Sequence, residues 1–174
     1  MSFETALAVT LRQEGGYVNN PADHGGATNF GVTQKTYDTW QAAHSFVPKD
    51  VKEITPAEVQ DIYRDSYWFP AGCDRLPDRL AGLHFDAAVN HGPGRAVKFL
   101  QQTCGVKPDG LFGPVTMAAV DHTVTTLGEL GVCLLYLVQR EQFYKQIIER
   151  DPSQQVFAKG WQKRVDALRH QVAP

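Results

Sequence analysis

The chain has 174 residues, with 17 Lys and Arg against 19 Asp and Glu, a formal charge of −2, and 43% hydrophobic residues. That length fits one domain, or two small ones sharing a core, and is enough to bury most of the apolar side chains. The near balance of charge argues against a protein drawn onto nucleic acid by its overall field, and the longest apolar run, Val132 to Val138, falls far short of the ~20 residues that a membrane span needs.

The opening stretch MSFETALAVTLRQEGG reads as a helix. Phe3, Leu7 and Leu11 recur at four-residue steps, and at ~100° per residue Glu14 lies close to the azimuth of Phe3 and Leu7. Gly15-Gly16 then ends the helix, glycine being the residue that accepts a left-handed turn after the last helical position. Glu4 stands where an export signal carries a base, so no leader is expected and the chain is expected to be made in the cytoplasm. Cys73, Cys104 and Cys133 are widely spaced and odd in number; at least one stays unpaired in a monomer, which suits a reducing compartment.

Residues 14 to 33, EGGYVNNPADHGGATNFGVT, differ in texture from the rest of the chain. Turn residues at Asn19-Asn20-Pro21 and Gly25-Gly26, followed by the alternation Thr28, Phe30, Val32, predict a small irregular β-hairpin or Ω-like loop. Helical spacing returns with Thr33 as a cap before Gln34 to His44, and again with Thr55-Pro56 opening Ala57 to Phe69. Asp78 is expected to cap a helix over Arg79 to Asn90 with Leu80, Leu83, Ala87 and Val89-Asn90 inward, closed by His91-Gly92-Pro93-Gly94. Further helices are expected over Arg95 to Thr103, Val115 to Asp121, about Leu127 to Arg150, and through Trp161 to Gln171 after the break at Asp151-Pro152. The expected fold is mainly α, with one small β-hairpin after the first helix. No repeat or low-complexity linker interrupts it.

A carboxyl on the buried face of a helix loses hydration, which disfavours its charged form and raises its pKa. An acid that stays protonated near neutral pH can protonate the leaving oxygen of a glycosidic bond while a second group handles water or the charge developing on the sugar ring. Gly15 and Gly16 would keep bulk away from Glu14, and Gly25 and Gly26 would let a tight loop fold back over it. That loop carries Asp23, the stronger base, and Thr28, which offers a hydroxyl. Each residue also has a plainer reading: Glu14 exposed in a last turn, Asp23 capping backbone N–H groups, Thr28 simply filling a strand.

The motif E-G-G-Y-V-N-N-P-A-D-H-G-G-A-T-N-F-G-V-T, with I-Y-R-D-S-Y-W at 62 to 68 and F-D-A-A-V-N-H-G-P-G-R-A at 85 to 96, resembles glycoside hydrolase family 108. These are phage-type N-acetylmuramidases that include secretion-activator muramidases. The resemblance implies a lysozyme-like helical fold, hydrolysis of the β-1,4 bond between N-acetylmuramic acid and N-acetylglucosamine, and Glu14 as the catalytic acid. Many phage lysozymes place a Thr fifteen residues after the Glu; here Asn29 stands at that position and Thr28 one step earlier.

Sugar sites need aromatic faces and amides, which makes Tyr63, Trp68, Asn90 and His91 candidate substrate-binding residues; Asp86 fits an internal hydrogen-bond partner. Residues 100 to 116, LQQTCGVKPDGLFGPVT, resemble the core of peptidoglycan-binding modules, although Asp109-Gly110 and Gly113-Pro114 also read as a turn capping the next helix. The expected organisation is a lysozyme-like catalytic region at 1–92 and a helical peptidoglycan-binding region at 93–174 packed on it. No cofactor and no metal are expected, because neither HExxH nor another compact ligand motif is present.

Peptidoglycan glycan strands are the expected partner of a monomer without stable membrane insertion. A wall-cutting enzyme made in a bacterial cytoplasm, or a host cytoplasm if phage-borne, would reach the periplasmic wall through a holin or a secretion route. The alternatives are a non-catalytic wall-binding protein, a metal-dependent amidase using His84, Asp86 and His91, and a cysteine peptidase using Cys73.

Overall fold

The computed structural model describes residues 2–12, 16–19 and 27–173. Helix α1 (Phe3–Leu11) is capped by the Ser2 hydroxyl, which accepts from Thr5 N, and buries Phe3, Ala6, Leu7 and Thr10. The spacing of these four is that of one helix face. Arg12 closes the helix; Glu14 and Gly15 lie outside the described residues, and so does the azimuth expected of Glu14.

The hairpin is shorter than its sequence alternation implies. Strand β1 (Thr28–Asn29) pairs antiparallel with β2 (Val32–Thr33), Thr28 opposite Thr33 and Asn29 opposite Val32. Thr28 also exchanges both backbone hydrogen bonds with Val18 at 2.8 Å, so it is held on both sides. The two residues of the turn, Phe30 and Gly31, have φ of 49° and 75°, as a type I′ hairpin turn requires. Thr28, Phe30 and Val32 therefore do not share a face as the alternation predicts. Phe30 is in the turn and exposed, and the buried pair is Asn29 and Val32.

Thr33 caps α2 (Gln34–Ala43), as expected, its hydroxyl accepting from Thr36 N. A full capping box between Thr55 and Glu58 starts α3 (Pro56–Tyr63). Beyond Tyr63 the helix widens into a π turn over Arg64–Trp68, with Phe69 N donating to Arg64 O at 3.0 Å. In such a turn residues five apart return to nearly the same side. Tyr63 and Trp68 accordingly both pack on Phe85, with ring centroids 6.3 and 5.4 Å away.

Helix α4 (Asp78–His91) is the centre of the molecule. Every residue from Leu80 to Ala88 is buried, against the one-sided stripe read from its sequence. Val89 and Asn90, expected inward, are the less covered end. Helices α1, α5 (Pro93–Thr103) and α6 (Pro114–Arg150) and the π turn all pack on α4, and its small residues Ala81, Gly82, Ala87 and Ala88 let them approach.

Asp78 is the first residue of this helix and not the one that caps it. Glu129 caps it, its Oε1 accepting from Arg79 N at 2.6 Å and Leu80 N at 3.2 Å. Glu129 reaches that place because α6 is broken at Gly128, where φ is 72° and ψ 159°. After a 3-10 turn at Pro152–Phe157, α7 (Ala158–Val172) returns along α6. Its last turn is tied to the start of α4 by Arg79 Nη1 donating to Val172 O. Buried side chains from α1 through α7 form one continuous cluster. Among the described residues no helix is long and apolar enough to cross a membrane.

The stretch 100–116 closes on itself. Gln101 is buried; its Nε2 donates to Asp109 Oδ1 at 2.7 Å, Thr116 Oγ1 at 3.0 Å and Leu111 O at 3.1 Å, while its Oε1 accepts from Gly110 N at 2.9 Å. Gly110 has φ of 83°, and a Cβ there would sit 3.0 Å from Gly94 O. Gln101, Asp109, Gly110 and Thr116 of the motif thus build the turn that starts α6.

Candidate functional site

Of the expected catalytic residues, Glu14 and Asp23 lie outside the described residues. Thr28 is half-buried on the hairpin strand that has a neighbour on each side, its backbone fixed between Val18 and Thr33. Asn29, the residue fifteen after Glu14, points its amide into the core and donates to Val51 O at 3.2 Å and Lys52 O at 3.4 Å. Asn29 holds the hairpin to the following segment, leaving Thr28 as the hydroxyl on this strand. Tyr63, 2% exposed, donates from Oη to Phe30 O at 3.0 Å. That bond clamps a non-glycine residue at positive φ, a conformation that packing must support.

The expected sugar-binding residues separate into two groups. Tyr63 and Trp68 are in the core. Trp68 is 6% exposed, and its ring meets Phe3 and Phe85 edge to face at 5.4 Å each. The π turn carries it inward, so Trp68 presents no open face to a sugar ring. Asn90 and His91, by contrast, stand at the wall of a groove of about 740 Å³ formed where the end of α4 meets α6 and α7. Asn90 donates from Nδ2 to Asp86 O at 2.6 Å, which leaves its carbonyl oxygen as the acceptor. His91 lies within hydrogen-bond distance of Tyr144 Oη through Nε2, at 3.0 Å. Burial, and then the Arg140 charge, push its pKa down to about 4, so the ring is neutral at neutral pH.

Under this groove lies a buried ion network. Asp86 accepts from Arg140 Nη1 at 2.6 Å and from Arg164 Nη2 at 2.7 Å and Nε at 3.1 Å. Burial alone would raise the Asp86 pKa, but the two guanidiniums, Arg140 foremost, outweigh it and hold the carboxyl below its ordinary value. Arg140 also donates to Tyr144 Oη at 3.2 Å, and Tyr144 stacks on Trp161 at 4.7 Å and 11°. Asp86 is the internal partner anticipated from the sequence.

Arg140, Tyr144, Trp161 and Arg164 were not. A signal for them existed: Tyr136, Arg140 and Tyr144 recur every four residues on one face of α6, and an Arg on an otherwise apolar face needs a buried carboxylate.

His84 is fully buried about two turns before His91 on α4, with Nε2 3.0 Å from Ala71 O and Nδ1 2.9 Å from Tyr136 Oη. Since a carbonyl only accepts, Nε2 carries the proton. His84 and His91 thus serve separate networks, and among the described residues no three His, Cys, Asp or Glu side chains gather as a metal site would need. Burial, and then Asp74, raise the Cys73 thiol well above its ordinary pKa, the opposite of what activates a cysteine nucleophile.

Comparison with known proteins adds identity to this geometry. The profile of the family described as "Glycosyl hydrolase 108" matches residues 7–92, and that described as "Predicted Peptidoglycan domain" matches residues 95–166. No curated protein sequence matches the chain. Among solved structures, that of SagA from Brucella abortus is 33% identical, covers 98% of this chain and 93% of its own, and superposes with a TM-score of 0.77. A short hairpin following the first helix of a helical body, a family profile over residues 7–92, and a solved structure alike over nearly its whole length agree: this chain is a member of glycoside hydrolase family 108 with a peptidoglycan-binding domain, a peptidoglycan hydrolase of lysozyme-like fold.

Proposed function

We propose that the chain is an N-acetylmuramidase that cleaves the β-1,4 bond between N-acetylmuramic acid and N-acetylglucosamine, with Glu14 as general acid. The observation that carries this reading is the family match over residues 7–92, which includes the Glu-Gly-Gly stretch. In the proposed reaction Glu14 gives its proton to the glycosidic oxygen as the bond breaks. Positive charge spreads over the ring carbon and oxygen, and a water placed by Asp23 or by the Thr28 hydroxyl attacks the anomeric carbon, giving up its proton to Asp23 or to solvent. The support for Thr28 is positional: paired on both sides, it is held rigidly, as a residue that orients a water must be.

The protein would be made in a bacterial or phage-infected cell and reach the wall through a holin or a secretion route, acting as a phage lysis enzyme or in opening the wall for export. Release of new reducing ends from purified wall by wild type and by Glu14→Gln tests the reading. A loss of roughly a hundredfold or more is expected when a general acid is removed, and equal activity would refute the assignment. Thr28→Val, which keeps the shape and removes the hydroxyl, separates the Asp23 and Thr28 roles.

A further inference from the structure

We infer that the groove between the end of α4, α6 and α7 binds the acidic stem peptide carried by the glycan strand. The inference deepens the wall-hydrolase reading and rests on it. The groove, about 740 Å³, is lined by Asn90, His91, Tyr144, Trp161, Lys163 and Arg164 among others, and none of its lining residues is acidic. The carboxylate beneath, Asp86, already serves two guanidiniums. One negative charge against two positive ones leaves the network with a cationic excess, and Lys163 adds another at the rim.

The Arg164 guanidinium is held by its Nε and Nη2 edge on Asp86, and its Nη1 makes no hydrogen bond among the described residues. A guanidinium fixed on one edge and open to solvent on another is ready for a second planar carboxylate.

Chemistry selects among the parts of the wall polymer. Where each muramic lactyl carboxyl is amide-linked to a stem peptide, the glycan itself offers only hydroxyls and acetamido groups, which are neutral and gain nothing from two cations. A phosphate polymer would be served by point charges and has no use for an aromatic wall. A stem peptide supplies both a carboxylate for Arg164 and Lys163 and flat peptide units with short apolar side chains for the Tyr144–Trp161 stack. Its backbone N–H has an acceptor in the Asn90 carbonyl oxygen, the amide nitrogen being the end that bonds Asp86 O. Trp161 is already packed on Tyr144 at 4.7 Å and near Phe157 at 6.0 Å, so little order need be imposed on binding.

The test is a titration of the full-length protein, with the Trp161 indole N–H and Arg164 Nε–H followed by NMR. Four probes are compared: a synthetic acidic stem tetrapeptide, the same peptide with its carboxylates amidated, chitotetraose, and poly(glycerol phosphate). The acidic peptide alone should shift both resonances. Lys163→Glu, an exposed change, should weaken that binding roughly tenfold, as a reversed charge beside a carboxylate does, while Lys163→Gln should fall between.

If the acidic peptide leaves both resonances in place, if the amidated peptide or the phosphate polymer binds as well, or if Lys163→Glu binds like wild type, the inference is wrong. Wall hydrolysis is measured separately: peptide binding without hydrolysis overturns the muramidase reading and leaves this one standing.

Discussion

Asp86→Asn is the substitution through which the buried network speaks most directly. Arg140 is 0% exposed, and its Nε already lacks a hydrogen-bond partner. Asp86 is the carboxylate that compensates its charge. The asparagine keeps the shape but removes the charge, and it turns an N–H toward a guanidinium that can only donate. Breaking a buried pair from one side costs ~3–5 kcal/mol, because the remaining ion stays out of water. For a chain of this length each kcal/mol moves Tm by ~2–4 °C, so a fall of roughly 6–20 °C is expected.

Urea unfolding followed by circular dichroism gives the free energy directly. The companion variant, Asp86→Leu with Arg140→Met, removes the ion pair as a unit and should recover most of the loss, since Arg164 is partly exposed and can turn to solvent. A cost below ~1 kcal/mol for Asp86→Asn, or a double variant as unstable as the single, would refute the account. The sign with pH follows from the lowered Asp86 pKa: its contribution is present at neutral pH and is lost as the pH falls below ~4, through the folded value.

A second pH dependence lies higher. His84 is held neutral by burial, its pKa pushed down to about 4 from 6.5, so stability is full above about pH 6.5 and declines toward pH 4, by about 3 kcal/mol from this residue; His91 adds to the same slope. Urea midpoints taken between pH 7 and pH 4.5 should fall steadily, and a flat profile would contradict it. Gly72 has φ of +73°, and a Cβ there would lie 2.5 Å from the Phe112 ring. Gly72→Ala should therefore cost ~2–5 kcal/mol from left-handed strain and overpacking together, read as a lower urea midpoint. Tyr63→Phe removes the hydroxyl that holds Phe30 O. It should cost ~1 kcal/mol in stability and slow wall hydrolysis by loosening the strand that carries Thr28, and unchanged hydrolysis would detach the clamp from function.

The helices are legible where the sequence carries local signals. Thr33 and Thr55 cap the helices that follow them, and the hairpin lies where the glycines and Asn residues punctuate the chain. Legibility stopped where a partner comes from far along the chain. The cap of α4 is Glu129, not Asp78, and its approach depends on a break at Gly128 inside an otherwise helical stretch. A regular helix through Phe69 leaves Trp68 as a candidate sugar platform, but the π turn rotates it into the core.

The sequence by itself determined the helical class, the place of the hairpin and the resemblance to wall hydrolases, because caps, spacing and motifs act within a few residues of one another. Only the tertiary structure decided which polar groups meet: Asp86 finds Arg140 and Arg164, which lie 54 and 78 residues later, and together with Tyr144 and Trp161 they form a cationic, aromatic groove. Burying a charge costs too much unless another charge answers it, and which charge answers is set by how α4, α6 and α7 pack.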